Sequence, residues 1–551
     1  MKVALAQLNY TIGNFDGNFS KIEKAIEKAK IDKAELVVFS ELCVCGYPPL
    51  DLLEQNEFIK NCAKTIDKIV ACSKDIAVII GSPTVNLDAH GKNLFNSAIF
   101  IEDGKLIKTI HKTLLPTYDV FDEYRYFEPN NHFETINVKG KKVALTICED
   151  LWFQQPSDNP FSRAIIYKTE PIEQLSHLQP DLIINISASP FSYTQDFVRK
   201  QTMMDNAKEY KLPVIYVNQV GSQTELIFDG GSLYINENGE IVEELKYFEE
   251  DYVVVDLKES KPKIPGITEY SRVNYIQKIH DALILGIRDF FTKLGFSKAT
   301  LGLSGGIDSA VTLGLAVEAL GAENLRVLLL PSRYSSDHSI SDAIGLAERL
   351  HVQYDIVKIQ PILDAFIEQM ADVFKGTKED LTEENIQARI RGSLLMALSN
   401  KFGNILLNTS NKSEAAVGYG TLYGDMNGAL SVLGDVYKTD VYRLARYINR
   451  NVEIIPENTI IKPPSAELRD NQKDSDSLPE YEILDNILKK YIELKMSEEE
   501  IAKHGFDPKV VRRVVGLINR NEFKRYQTPP ILRISTKAFG SGRRMPIVAQ
   551  Y

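Results

Sequence analysis

No stretch of this chain approaches the roughly 20 consecutive apolar residues of a membrane-spanning helix. The N-terminal MKVALAQLNYTIGNFD has one basic residue and an apolar run shorter than the core of a secretory signal. The cytoplasm is the expected location. Cysteine is scarce: Cys43, Cys45, Cys62, Cys72 and Cys148 are an odd five in 551 residues. Cys43 and Cys45 also lack the C-x-x-C spacing of zinc or redox sites, so reduced thiols are expected. Basic charge is in deficit, 64 Lys and Arg against 75 Asp and Glu for a net of -11. General nucleic-acid binding rests on neutralising many phosphates, so neither nucleic acid nor membrane is an expected partner, and any phosphate site is local. Internal repeats and low-complexity tracts are also missing. What remains, 44% hydrophobic and 25% charged residues, is the balance of a soluble globular protein, and its length predicts two domains of roughly 250 residues each.

The first half reads as strands alternating with helices. KVALAQL, ELVVFSEL, DIAVIIGS, NSAIFIED, KVALTIC, DLIINIS and LPVIYVN are strand-like, with amphipathic helices near 17–33, 51–73 and 196–210. EDGK and NENGE are hairpin signals that join some strands directly, so an α/β sandwich with antiparallel pairs is expected. After DYVVVDL, the stretch KESKPKIPGITEYSR carries lysines and prolines without periodicity and reads as a linker. The expected organisation is a first domain over 1–258, a linker over 259–271 and a second domain over 272–551. In the second domain helices at 272–294, 308–320, 338–350 and 383–402 alternate with the strands ATLGLS, LRVLLL, VQYDIVKI and NILLN. Strict alternation predicts an α/β fold with a doubly wound parallel sheet and a ligand at the carboxyl ends of its strands.

One of those ends carries GLSGGIDS, from Gly302 and Leu303 through Ser304, Gly305, Gly306 and Ile307 to Asp308 and Ser309. It looks like a phosphate loop, yet it has no lysine to reach the β- and γ-phosphates as a P-loop does. A strand feeding glycines and then a helix sets backbone N–H groups at a helix N-terminus, which suits an anion. Asp308 would repel bound phosphates unless Mg²⁺ lay between, so the aspartate implies a metal-nucleotide complex. Such a loop is suited to holding pyrophosphate as a leaving group, which means adenylyl transfer. The segment is identified with the SGGxDS signature of the ATP-pyrophosphatase family, whose members activate carbonyl or carboxylate groups with AMP.

Further on, LLNTSNKSEAAVGYGTLYGD, GDVYKTDVYRLA, KPPSAELRDNQKDSDSLPEYEILD and FKRYQTPP together resemble the glutamine-dependent NAD⁺ synthetases over most of residues 272–530. The resemblance implies that Thr409, Lys438 and Ser465 contact ATP, together with residues 302–309. It implies that Asp308 and Glu414 hold Mg²⁺, and that Asn385, Glu414, Tyr419 and Lys524 face deamido-NAD⁺. Lys438 is a point charge for phosphate. Asn385 and Arg389 share a helix face, at i and i+4, opposite Ile386, Ile390 and Leu394. Ser410 stands where the family pattern T-G-N-K-S-E has glycine. Residues 512–544 hold nine Lys or Arg against the single acid Glu522. That run reads equally as the lining of a dinucleotide pocket, a subunit contact or an exposed tail.

In the first half VALTICEDLW puts Cys148 at the end of an apolar strand, VVFSELCVCGYPP ends another with Glu41, and IHKTLLPTYDVFDEYRYF presents Lys112. A carboxylate takes the thiol proton, a lysine stabilises thiolate and tetrahedral intermediate, and the thiol attacks an amide or nitrile carbon. This Glu, Lys, Cys set resembles the nitrilase superfamily over about residues 2–250, which implies a four-layered α-β-β-α sandwich. The C-E-D version resembles the glutaminase branch attached to NAD⁺ synthetases. By that likeness Tyr118, Glu123, Ser189 and Gln195 shape a glutamine pocket, Gln195 standing where a lysine is common, and Glu123 partners the substrate ammonium and also helps orient Lys112.

Joined, the halves imply a ligase. Ammonia is made from glutamine at Cys148, channelled inside the protein, and used to displace AMP from adenylated deamido-NAD⁺, in a dimer or larger assembly. Passage away from water keeps ammonia unprotonated and nucleophilic. The rivals are amidation of another nucleotide by the same chemistry, and a nitrilase-type amidase whose second half only senses nucleotide. A tRNA-modifying enzyme would share the loop, but the acidic total opposes it.

Overall fold

The computed structural model describes residues 1–153, 166–259, 261, 275–470 and 472–549, and the chain divides into two compact units, Met1–Tyr275 and Ile276–Tyr551. Apart from residues 259 and 261, the linker expected over 259–271 lies outside the described residues. Among the described residues no helix is long and apolar enough to cross a membrane.

The first unit is built on two six-stranded sheets. One contains β1 (Lys2–Gln7), β2 (Leu36–Val38), β3 (Ala77–Val85), β4 (Leu94–Glu102), β5 (Lys105–His111) and β14 (Asp251–Asp256), in the order β14-β1-β2-β3-β4-β5. The other contains β6 (Ile136–Val138), β7 (Lys141–Ile147), β8 (Leu182–Ser187), β9 (Val214–Asn218), β12 (Leu233–Ile235) and β13 (Ile241–Glu244), in the order β13-β12-β9-β8-β7-β6. A two-stranded ribbon, β10 (Val220–Gln223) with β11 (Leu226–Asp229), lies outside both.

Because side chains alternate along a strand, each sheet supplies two cores. Val3, Leu5, Ala77 and Ile79 of the first sheet pack with Leu145, Ile147, Ile184 and Val217 of the second. Ala4, Val37, Val78 and Ile80 turn the other way, onto Ile22 and Ile26 of helix Phe15–Ile31 and Ile66 and Ile69 of helix Asn56–Cys72. On the far side Ala144, Ile183 and Tyr216 meet Ile172 of helix Pro171–Ser176 and Met203 of helix Gln195–Tyr210. That is the α-β-β-α sandwich.

The EDGK hairpin joins β4 to β5 through Asp103 and Gly104, both at positive φ (51° and 70°), as a tight two-residue turn requires. ELVVFSEL is the strand that differs most from expectation. Only Leu36–Val38 pair on both sides; Phe39 N–H still reaches the Ile79 carbonyl at 3.0 Å, and Leu42 at φ 46° turns the chain away.

The second unit holds a five-stranded, all-parallel sheet of β15 (Ala299–Gly302), β16 (Leu325–Leu329), β17 (Gln353–Ile356), β18 (Ile405–Asn408) and β19 (Leu430–Ser431), in the order β17-β16-β15-β18-β19. The chain winds outward from β15 through β16 to β17, then returns to β18 on the other side, so GLSGGIDS sits beside the switch point of the sheet.

Helix Tyr275–Leu294 meets helix Ile307–Leu320 through His280, whose ring lies between two carboxylates. Nδ1 is 2.9 Å from Asp281 Oδ1 and Nε2 is 3.0 Å from Glu318 Oε2. Two acceptors demand two N–H donors, hence imidazolium. Burial alone favours the neutral ring, but the bonds to Asp281 and Glu318 outweigh it and lift the pKa above the ordinary 6.5. Linkage then fixes the sign: this contribution to stability is complete below the unfolded value and is lost as pH rises through the folded one. Melting curves from pH 6 to 9 should show a decline in Tm that His280→Gln flattens, and parallel curves for both proteins would refute the assignment.

Candidate active sites

Strand β7 ends at Ile147, and the next residue, Cys148, takes φ 43° before a short 3-10 turn over Cys148–Leu151. Left-handed backbone at a non-glycine residue costs about 1 to 3 kcal/mol and persists only where the surroundings enforce it. Asp150 does so here: its carboxylate accepts from the N–H groups of Ile147 (3.0 Å), Thr113 (3.0 Å) and Leu114 (2.9 Å), tying the turn to the segment that follows Lys112. Burial pushes Asp150 up to about 6 in spite of those bonds.

Lys112 follows β5 and is fully buried. Its Nζ donates to Glu41 at 2.7 Å and to Glu123 at 2.9 Å. Glu41 is equally buried, accepting also from Asn96 Nδ2 (2.7 Å) and from the Ala188 N–H (2.9 Å). Burial and the Glu41 charge raise the Cys148 thiol well above its ordinary pKa, with Lys112 pulling the other way. The resting group is therefore a thiol, and its use as a nucleophile would require a base.

Glu123 accepts from Tyr47 Oη at 2.9 Å, and burial lifts it to about 7 against the pull of Lys112. The structure thus places Glu123 on Lys112, inside the polar cluster. Glu149, which is not among the residues expected from sequence, is buried and accepts from Tyr118 Oη at 2.8 Å and Tyr167 Oη at 2.7 Å. Ser189 follows Ala188, and its N–H donates to Asn218 Oδ1 at 2.9 Å. Gln195 heads helix Gln195–Tyr210, half-buried, with its N–H on the Ser192 carbonyl.

In the second unit Gly302 ends β15 and the Leu303 N–H bonds the Leu328 carbonyl at 2.8 Å. Ser304 and Ser309 then close the loop on itself, Oγ to Oγ at 3.2 Å, with Gly306 N–H on Ser304 Oγ at 3.2 Å. Gly305 sits at φ 79°, and a Cβ there would fall 2.1 Å from the Ser339 carbonyl oxygen; only glycine fits. Helix Ile307–Leu320 starts from Gly306 without a side-chain cap.

Asp308, in its first turn, accepts from Asn411 Nδ2 at 2.8 Å and from Lys438 Nζ at 2.6 Å; Lys438 also reaches Glu414 at 3.3 Å. Asn411 caps helix Lys412–Val417, which carries Glu414, and Lys438 opens helix Lys438–Ile448. Three helix starts therefore converge. Burial, opposed by Lys438 and reinforced by Asp308, pushes Glu414 to about 8: one lysine leaves a demand for positive charge unmet. Two carboxylates around such a deficit fit a hard divalent cation.

Asn385, Arg389, Tyr419 and Lys524 line one cavity of about 810 Å³, a volume suited to a nucleotide-sized ligand. Asn385 Oδ1 accepts from Thr421 Oγ1 (2.8 Å), Tyr419 Oη donates to Asp474 (3.2 Å), and Lys524 Nζ donates to the Gly418 and Gly420 carbonyls (2.8 Å each). Glu414 is outside that lining and belongs to the Asp308 and Lys438 cluster. Thr409, just past β18, is half-buried, and Ser465 is exposed, its Oγ accepting from the Glu467 N–H at 3.1 Å.

The basic run does not act as one surface. Lys524 faces the cavity, while Arg525 and Arg543 converge on Glu522 at 2.7 and 2.6 Å, and Arg533 turns inward to the Ser535 and Thr536 carbonyls. Lys412, fully buried, reaches Asp435 at 2.9 Å, Glu493 at 3.3 Å and Ser535 Oγ at 2.7 Å, fastening the segment near the C-terminus.

Residues 2–261 match the carbon-nitrogen hydrolase family and residues 279–528 the NAD synthase family. Fold and sites together define a carbon-nitrogen hydrolase and an NAD synthase joined in one chain. Similar over their full length are a glutamine-dependent NAD(+) synthetase of Synechocystis, 44% identical over 100% of this chain and 99% of the relative, and one of Thermotoga maritima, 41% identical over 100% and 99%. The structure of a glutamine-dependent NAD+ synthetase from Acinetobacter baumannii in complex with ADP superposes with a TM-score of 0.77 at 39% identity, covering 99% of this chain and 98% of that one. The chain belongs to the glutamine-dependent NAD⁺ synthetases.

Proposed function

We propose that the chain converts deamido-NAD⁺ to NAD⁺ with ATP and glutamine, releasing AMP and pyrophosphate. Kinship over the whole chain favours this over amidation of another nucleotide, and favours turnover over mere sensing. At the first site Cys148 attacks the glutamine amide carbon. Glu41 takes the thiol proton and delivers it to the departing ammonia, Lys112 stabilises the developing oxyanion, and water hydrolyses the glutamyl thioester. Tyr118, Glu123, Ser189 and Gln195 belong to the glutamine pocket in this reading. The observation that carries it is the fully buried Lys112 held between Glu41 and Glu123, because all three charges bear on the thiol of Cys148, whose backbone is left-handed at φ 43°.

At the second site the nicotinate carboxylate of deamido-NAD⁺, held among Asn385, Tyr419 and Lys524, attacks the α-phosphorus of ATP. The N–H groups of the glycine loop and Lys438 receive the departing pyrophosphate, and Thr409 and Ser465 contact ATP. Asp308 and Glu414 would hold Mg²⁺, which when bound supplies charge neutralisation for the phosphates. Ammonia then displaces AMP. It travels inside the protein, where it stays unprotonated. Self-association as a dimer or larger, and a cytoplasmic location, belong to the same reading.

The test is one incubation of the full chain with Mg-ATP, deamido-NAD⁺, amide-¹⁵N glutamine and unlabelled ammonium below the level that supports synthesis. NAD⁺ carrying ¹⁵N, with AMP and pyrophosphate formed one for one and no ADP, is expected. Formation of ADP, or an unlabelled product, would refute it.

A further inference from the structure

Between the glycine loop and the 810 Å³ cavity lies a carboxylate that neither half of the reaction uses. Glu467 stands at φ 49°, left-handed backbone at a residue with a Cβ, a cost that persists only where contacts enforce it. Its Oε1 accepts from two hydroxyls, Ser336 Oγ and Ser339 Oγ, both at 2.8 Å, and Oε2 faces the Ser336 N–H at 3.4 Å. Ser336 is the N-cap of helix Asp337–Arg349, so the carboxylate occupies the electropositive end of that helix. Ser339 is the residue whose carbonyl presses on Gly305.

On its other side Glu467 holds the segment that faces the substrates. Its N–H engages a lone pair of Ser465 Oγ at 3.1 Å, which leaves the Ser465 hydroxyl proton to donate to an acceptor such as a phosphate or ribose oxygen. The flanking Ala466 and Leu468 line the cavity, and the Leu468 carbonyl accepts from Gln387 Nε2 at 3.0 Å, two residues from Asn385. Lys462, at the start of the segment, reaches Ser339 Oγ at 3.0 Å.

We propose that Glu467 is a positioning residue for adenylate formation: its carboxylate pins Ser465 and the cavity wall around it to the helix that backs the glycine loop. The inference rests on the reading of residues 302–309 and Ser465 as the ATP site.

The test uses the full chain with Mg-ATP, deamido-NAD⁺ and saturating ammonium. Glu467→Ala frees the segment and should raise the KM for ATP about tenfold, the loss of one to two charge-assisted hydrogen bonds, with kcat within about threefold and glutamine hydrolysis unchanged. Glu467→Gln keeps one oxygen for both hydroxyls and should stay within about threefold of wild type. Ser339→Ala removes one donor while sparing the cap at Ser336 and should give an intermediate rise. A wild-type KM for ATP in Glu467→Ala, a fall in kcat alone, or equal damage from Gln and Ala would overturn the proposal. If Glu467→Ala does not fold, the Gln and Ser339 variants decide by the same criteria. Calorimetric binding of Mg-ATP, weaker in parallel with KM, reads Glu467 separately from turnover, so a wild type that makes no NAD⁺ from ammonium would instead sink the underlying functional reading.

Discussion

Cys148→Ala is expected to lose glutamine-supported NAD⁺ formation by a factor of at least about 10³, the usual scale for removing a nucleophile, while ammonium-supported formation stays within about twofold. The first loss follows from chemistry: without sulfur no thioester forms, and Glu41 and Lys112 have no group to activate. The second follows from the architecture, since Cys148 lies in the unit Met1–Tyr275 and the nucleotide residues in Ile276–Tyr551. Folding should tolerate the change. The thiol packs in an apolar cluster with Ile147 and Ile186, and alanine removes one atom at a position where φ 43° already strains the chain. Rates with each nitrogen donor, measured side by side, check it; retained glutamine use would remove Cys148 from the chemistry altogether.

Asp308→Asn is expected to cut both glutamine- and ammonium-supported synthesis by about 10² or more, with glutamine hydrolysis continuing. The substitution preserves size but removes the charge that Lys438 meets at 2.6 Å. Its amide would also put N–H donors against Lys438 or Asn411, which are donors themselves. Lys438, buried yet held protonated by Asp308 and Glu414, would retain Glu414 alone. Exchange of labelled pyrophosphate into ATP, dependent on deamido-NAD⁺, isolates the adenylation step. The variant should lose exchange in proportion to synthesis and regain part of it at high Mg²⁺; exchange at the wild-type rate would place Asp308 outside the reaction.

Much of this is legible in the sequence because the chemistry sits where regular elements stop. Glu41 and Cys148 each follow an apolar run, Lys112 follows the mixed strand KLIKTIH, and SGGIDS follows ATLGL, so strand ends mark the candidate sites. The partners that tune them are not legible. Asn96 and Tyr47 reach Glu41 and Glu123 across 55 and 76 residues of sequence, and an asparagine inside a strand run carries no local mark of what it will meet. Asn411 is different: Asn followed by Glu three residues on is a capping signature, and it marks the helix Lys412–Val417 inside what the sequence alone shows as a motif. Helix Lys438–Ile448 is readable too, since Val441, Leu444, Ala445 and Ile448 fall on one face and are buried. The basic stretch near the C-terminus is opaque for the opposite reason, because charge counts along the chain say nothing of which arginines find a carbonyl or Glu522 inside.

The lysine flanked by two carboxylates has one more effect. In the proposed mechanism the proton passes from sulfur to Glu41, so a negative charge moves within the cluster and the sum over Cys148, Glu41, Lys112 and Glu123 does not alter. The surrounding protein therefore sees a small dipole turn and no new ion, so little of the nearby structure has to rearrange as the bond to nitrogen breaks.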